Sequence, residues 1–317
     1  MTEKPDIARD RVIAVVGPTA AGKSDLAVGL AIELGRWAER PAEIVNADSM
    51  QLYRGMDVGT AKLPISERRS VPHHLIDVLE VGESATVAVF QQQAREVIAD
   101  CHRRAVTPIL VGGSALYVRA VLDHFEFPGT DPEVRQGLER ELAEVGPEAL
   151  HARLRDRDPA AAADILPSNG RRLVRALEVM AITSKPFSAT LPERTYAYPD
   201  VVQIGIDVPR DVLDQRIETR VEAMWQAGFV AEVRALRPAL EQGRTACRAL
   251  GYRQILRFLG GELTEEAAKQ ETVRATRRFA RRQDSWFRKD PRIRWFSYDD
   301  PRLLESVLAL FVSAESC

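Results

Sequence analysis

The stretch Arg11-Val12-Ile13-Ala14-Val15-Val16-Gly17-Pro18-Thr19-Ala20-Ala21-Gly22-Lys23-Ser24 decides the fold. Its first six residues form a short β-branched run, the pattern of a strand buried in a parallel sheet. The next eight satisfy G-x-x-x-x-G-K-[ST], and Asp25 to Leu34 reads as a helix. A strand before the motif and a helix after it form the context that marks a phosphate-binding loop. Glycines let backbone N–H groups turn inward on phosphate oxygens, and the helix start adds positive potential. Lys23 supplies a point charge and Ser24 can hold Mg²⁺. Gly17, Pro18, Thr19, Ala20, Ala21, Gly22, Lys23 and Ser24 are therefore expected to grip a diphosphate. The loop alone does not say which molecule carries it, since kinases, NTPases and GTPases share it.

Working outward, Glu43-Ile44-Val45 reads as a second strand ending at Asn46-Ala47-Asp48-Ser49. Pro108-Ile109-Leu110-Val111 reads as a third, ending at Gly112-Gly113-Ser114, and Val201 to Asp207 as a fourth. Phe90 to Arg104 has the length and pattern of a crossover helix. Strands alternating with helices predict an α/β fold, a P-loop parallel sheet flanked by helices, whose ligands gather at the carboxyl ends of the strands. Between about residues 120 and 200 the strand pattern gives way to short helices: Pro132 to Glu144, Pro147 to Asp156 and Gly170 to Thr183. The expected organisation is a P-loop α/β core over 1–119, an inserted all-helical domain over 120–200, and core completion with basic C-terminal helices over 201–317.

At 317 residues, 45% hydrophobic and 28% charged, the chain has ample material for a buried core. The net charge of −2 gives no whole-molecule hint of a polyanionic partner, so a nucleic-acid surface must be local. Cys101, Cys247 and Cys317 are odd in number and widely spaced, which fits reduced thiols in a cytoplasm. No apolar run approaches the roughly 20 residues of a membrane span, and the first residues lack a signal-peptide pattern. A cytoplasmic protein without membrane attachment is expected.

Three further features carry chemistry. Asp48 follows the second strand, so it belongs at the same sheet edge as the loop; its carboxylate suits a general base or a Mg²⁺ ligand, and equally a helix N-cap. Arg216 and Arg220 form an i, i+4 pair that could reach charge building on a leaving group, or pair with Glu218 and Glu222. On a helix from Glu271 to Lys289, Arg274, Arg277, Arg278, Arg281, Arg282 and Arg288 fall within an arc of about 140°, with Val273, Phe279, Ala280, Trp286 and Phe287 opposite. One face should pack and the other meet a polyanion. His73-His74 has no third ligand at useful spacing and is expected to be structural.

Together these motifs resemble the tRNA dimethylallyltransferase (tRNA isopentenyltransferase) family. The resemblance rests on residues 17–24, VNADSMQLYRGMDVGTAK (45–62), VPHHLIDV (71–78), PILVGGSALYVRA (108–120), DPEVR (131–135), RRLVRALEV (171–179), AGFVAEV (227–233) and RALGYRQ (248–254). It implies transfer of a dimethylallyl group from dimethylallyl diphosphate to N6 of the adenosine at position 37, beside the anticodon, in tRNAs reading codons that begin with U. It also implies Mg²⁺, a monomer, and an inserted domain that clasps the anticodon stem-loop. Carried over by motif, Asp48 would be the general base, Lys23 and Arg220 would act on the departing diphosphate, and Ser24 would hold the metal. tRNA contacts would fall on Asp48, Ser49, Met50, Gln51, Ser114 and Arg135. Two further blocks would join them: Arg171, Arg172, Leu173, Val174 and Arg175, then Arg248, Ala249, Leu250, Gly251, Tyr252 and Arg253. Ser114 stands where the family has threonine, Arg171 where glutamine is usual, and Ala249 where cysteine is common. A small-molecule P-loop kinase using Asp48 on a hydroxyl is the main rival, and an RNA-binding switch a lesser one.

Overall fold

The computed structural model describes residues 10–37, 40–188 and 194–311; Cys317 lies outside them. Six strands make one sheet: β1 (Arg11–Val16), β2 (Ala42–Asn46), β3 (His73–His74), β4 (Thr107–Gly112), β5 (Asp200–Asp207) and β6 (Ile293–Ser297). Their order is β3-β2-β4-β1-β5-β6 and every pairing is parallel. The helices are α1 (Lys23–Trp37), α2 (Val87–Arg103), α3 (Ala115–Leu122), α4 (Pro132–Arg157), α5 (Pro159–Asp164), α6 (Gly170–Thr183), α7 (Arg210–Gln226), α8 (Phe229–Gln242), α9 (Tyr252–Leu259), α10 (Glu265–Phe287) and α11 (Leu303–Leu308).

The β-branched run of β1 is covered on both faces, as a parallel sheet requires. Ile13 and Val15 pack with Leu26, Leu30 and Leu34 of α1, while Val12, Ala14 and Val16 pack with Phe90, Ala94 and Ile98 of α2. Each fully buried Ile, Leu or Phe of these layers contributes about 1.5–3 kcal/mol. A third apolar cluster joins Tyr53 and Met56 to Phe229, Val233, Tyr252 and Ile255, anchoring α8 and α9 to the segment after β2.

From β1 the chain passes over β4 to reach β2, and from β4 it passes over β1 to reach β5. The connections therefore diverge between β1 and β4, and a cleft opens there at the carboxyl ends of the strands. Gly17 follows one of these strands and Gly113 the other.

The chain divides into two compact units, residues 1–122 with 196–317 and residues 123–195. The second contains α4, α5 and α6 around Leu138, Leu150, Leu154, Leu173 and Leu177. Asp131 caps α4 by accepting from the amides of Glu133 and Val134 at 2.9 and 3.1 Å. That helix is broken at Gly146 (φ 80°), ahead of Pro147, where the sequence pattern separates two shorter helices. Among the described residues no helix is long and apolar enough to cross a membrane.

Two strands were not expected. β3 is only two residues long, too short for periodicity to register, and β6 is an edge strand whose Ile293 alone is buried.

Candidate active site

The loop after β1 folds through positive φ at Gly17 (141°), Ala20 (65°) and Gly22 (99°), which turns it back over the start of α1. Lys23 Nζ donates to the Pro18 carbonyl at 2.7 Å. Burial pushes this ammonium down to about 8; the Arg220 charge adds to the effect and the Asp48 carboxylate opposes it. The first amides of α1 have no intrahelical acceptor and remain available as donors.

Two later helices close on the loop. Arg220 of α7 donates through Nη1 to Thr19 Oγ1 at 3.2 Å, so it faces the loop and not Glu218 or Glu222. Its pKa is lowered by burial, against the attraction of Asp48 and Asp25. Its neighbour Arg216 lies instead over the Tyr298 ring, 4.6 Å from the centroid. Gln283 of α10 accepts the Thr19 N–H at 2.9 Å through Oε1 and donates through Nε2 to the Gly113 carbonyl at 2.8 Å. Sequence reasoning passed over Gln283, although the signal was present: it is a polar residue in the middle of the apolar arc of α10.

Asp48 completes the constellation. No helix follows it; Oδ1 accepts from the Met50 amide at 2.9 Å in a tight turn, and the Asp48 amide donates to Asn46 Oδ1 at 3.0 Å. The N-cap alternative is thereby replaced by a turn that fixes the carboxylate. Lys23, Ser24, Asp48, Arg220 and Gln283 all line one cavity of about 380 Å³. It holds a carboxylate facing cations, with phosphate-type donors at its floor, an arrangement suited to deprotonating a nucleophile while stabilising a departing anion.

One wall of the cavity is formed by Thr60, Ala61 and Lys62. This wall is held from behind by Glu232 of α8, whose carboxylate accepts from the amides of Asp57, Val58 and Gly59 at 2.9, 2.7 and 3.1 Å. Tyr252 donates its hydroxyl to the same carboxylate at 2.5 Å. Gly59 is required here, because a Cβ would lie 2.1 Å from the Phe229 ring. Lys62, its side chain 4% exposed, bridges Asp57 and Asp77 and donates to the Tyr53 carbonyl at 2.9 Å.

Comparison with known proteins matches residues 51–290 to the IPP transferase family model. A tRNA dimethylallyltransferase of Thermobifida fusca is 65% identical over 300 residues, covering 94% of this chain and 93% of the relative. One from Kineococcus radiotolerans is 61% identical over 290 residues, covering 91% of each. This chain belongs to the tRNA dimethylallyltransferase family. Solved members include the tRNA isopentenylpyrophosphate transferase of Bacillus halodurans, with a TM-score of 0.69, 37% identity and 95% of each chain covered. A eukaryotic dimethylallyltransferase acting on tRNA gives a TM-score of 0.79 at 25% identity, covering 95% of this chain and 77% of that one. The kinase alternative is not favoured by any of these likenesses.

Within the transferase family, the residues expected to touch tRNA divide by exposure. Arg171, Arg172, Arg248 and Arg253 are exposed, and Ser49, Gln51, Ser114 and Leu250 are half-buried; Gln51 donates to the Thr60 carbonyl at 3.1 Å. Five of these residues are buried. Leu173, Val174, Ala249 and Tyr252 are core residues, at 0%, 4%, 6% and 0% exposure. Gly251, at φ 82°, is buried with Phe229 where its Cβ would stand. Half-buried Met50 packs against the cluster around Tyr53. Arg135 and Arg175 pair with the fully buried Glu178 at 2.6 and 2.9 Å, which makes them struts of the helical unit. Burial raises the Glu178 carboxyl, but these two guanidiniums more than offset it and hold it below its usual range.

The basic arc of α10 is likewise divided. Arg277 and Arg281 turn to Asp214 and Glu218 of α7, and Arg288 pairs with Asp207 and Asp284. Arg274, Arg278 and Arg282 are left exposed and without an ion pair among the described residues. Trp286, expected on the packed face, is 53% exposed, with Lys289 Nζ 5.7 Å from its ring centroid.

His73 and His74 point to different partners. His73 Nδ1 meets the Val71 carbonyl, and His74 Nε2 meets Glu43, both at 2.7 Å. Glu43, His74 and Cys101 cluster within 4.8 Å, but Arg104 grips Glu43 with two 2.7 Å bonds and its positive charge opposes a cation. The Cys101 thiol is pushed up to about 12, chiefly by burial, so it stays protonated and inert.

Proposed function

We propose that this chain transfers the dimethylallyl group of dimethylallyl diphosphate to N6 of the adenosine at position 37, next to the anticodon, in tRNAs reading codons that begin with U. The observation that carries it is the placement of Asp48 and Arg220 around Lys23 in one cavity of about 380 Å³.

The exocyclic amine is a poor nucleophile because its lone pair is delocalised into the ring. Asp48 takes the amine proton as the N–C bond forms, and the C–O bond to the diphosphate breaks. The negative charge left on the diphosphate falls to Lys23, Arg220 and the loop amides of residues 20–24. Removing one such donor typically costs about 3–4 kcal/mol of transition-state stabilisation. Ser24 and Asp48 offer a neutral and an anionic oxygen ligand, which fits a hard divalent cation such as Mg²⁺. Bound there with the diphosphate, Mg²⁺ would supply charge neutralisation on the leaving group.

The target base must leave its stack, at about a few kcal/mol, and phosphate contacts elsewhere offset this. Arg171 and Arg172 of the helical unit, with Arg248, Arg253, Arg274, Arg278 and Arg282 of the core, are among the exposed cations available for them.

The test is incubation with Mg²⁺, labelled dimethylallyl diphosphate and an unmodified anticodon stem-loop. Label should appear in the RNA at the adenosine beside the anticodon. ATP-dependent phosphorylation of a metabolite, with no label in RNA, would overturn the reading.

A further inference from the structure

The loop motif is common to proteins that hold nucleoside triphosphates, where its amides cradle the inner phosphates and its lysine reaches the outer ones. On the diphosphate reading above, the loop holds two phosphates where its relatives in motif hold three. Thr19 lines the cavity, and both its N–H and its hydroxyl oxygen are engaged. Its N–H donates to Gln283 Oε1 at 2.9 Å, and its hydroxyl oxygen accepts from Arg220 at 3.2 Å.

The Gln283 amide cannot turn to offer a donor. Its Nε2 is held by the Gly113 carbonyl at 2.8 Å, and the residue is 7% exposed. Gly113 belongs to the same clamp, since a Cβ there would lie 2.4 Å from Nε2. A flip would set the amide NH₂ against the Thr19 N–H and the amide oxygen against the Gly113 carbonyl, breaking both bonds at once. Asp48 lines the same cavity. Beside Thr19 a third phosphate meets an amide oxygen and shares its cavity with a carboxylate, with the Thr19 N–H already spent on Gln283 and the Arg220 guanidinium partly committed to the Thr19 hydroxyl, whereas an uncharged allylic carbon needs none of these donors.

We propose that Gln283 is a specificity-determining residue, which occupies the Thr19 amide and so restricts the phosphate loop to diphosphates against triphosphates. This rests on the diphosphate reading of the loop given above.

The experiment measures calorimetric affinity of the full chain for inorganic diphosphate and inorganic triphosphate, each with Mg²⁺ at neutral pH. Triphosphate carries more charge, so a basic loop without a filter would favour it. The expected result is diphosphate binding at least about tenfold tighter than triphosphate, a preference of about 1.4 kcal/mol. Gln283→Ala should bring the two within about threefold of each other by strengthening triphosphate binding. Gln283→Met, nearly the same shape without the hydrogen bonds, serves if the alanine variant does not fold. Equal affinities in the natural chain, or an unchanged tenfold gap in the folded variant, overturn the proposal. Failure to bind either anion would instead remove the diphosphate reading on which it rests.

Discussion

The ammonium of Lys23 donates to the carbonyl of Pro18 at 2.7 Å, so the lysine folds back on the loop that it serves. Burial and the Arg220 charge bring its pKa down to about 8, with Asp48 pulling the other way. A bound diphosphate favours the charged form and raises that value, so binding above pH 8 requires uptake of a proton. Affinity for dimethylallyl diphosphate without RNA should be flat from pH 7 to about 8, then fall toward tenfold per unit. Lys23→Met should abolish the slope, as calorimetry across this range would register.

Asp48 and Arg220 are expected to fail in different ways. Asp48→Asn keeps the turn to Met50 but removes the base, and should lower kcat about 100- to 10,000-fold with RNA affinity unchanged. Arg220→Ala should lower kcat about 100- to 1,000-fold and weaken diphosphate binding as well. Single-turnover kinetics beside equilibrium RNA binding separate the two, and an Asp48→Asn enzyme at full rate would remove Asp48 as the base.

On α10 the ion pairs decide which arginines count. Replacing Arg278 and Arg282 by Ala should weaken tRNA binding and reduce the slope of log K against log salt by about one unit for each phosphate that the missing guanidinium neutralised. Arg281→Ala, whose partner is Asp214, should leave that slope where it was. A titration from low to high salt distinguishes them.

The helical unit gives the complementary case. Arg135→Ala strands the fully buried Glu178 carboxylate with one partner fewer and should destabilise the unit by about 3 kcal/mol, read as a lower thermal midpoint. Arg171→Ala and Arg172→Ala, at exposed positions, should leave the midpoint in place and weaken RNA binding.

Gly59→Ala forces a Cβ to 2.1 Å from the Phe229 ring. Overpacking there should cost about 1–3 kcal/mol and displace the wall formed by residues 60–62, raising KM for RNA more than it lowers stability at working temperature. A KM unchanged in the folded variant would show that the wall is not part of the RNA site.

The phosphate loop and the central strands were legible because their signals are local: a β-branched run, glycines at fixed offsets, a helix directly after. β3 and β6 were not, since two residues carry no period and an edge strand is only partly buried. Arg220 had the right spacing, but spacing could not choose between Glu222 on its own helix and Thr19, 201 residues away. The block 248–254 stood out as one motif, yet in space it contains two jobs. Arg248 and Arg253 face solvent, while Tyr252 and Gly251 hold the floor under Glu232 and Phe229.

Glu232 and Gln283 both follow β5 in sequence, yet one holds the amides of residues 57–59 behind the cavity wall and the other the amide of Thr19. Contacts spanning 174 and 264 positions close late, after the local turns and helices have formed. During synthesis the phosphate loop leaves the ribosome 264 positions ahead of the Gln283 that engages it. A nascent chain therefore displays the motif without its clamp while those positions are being made.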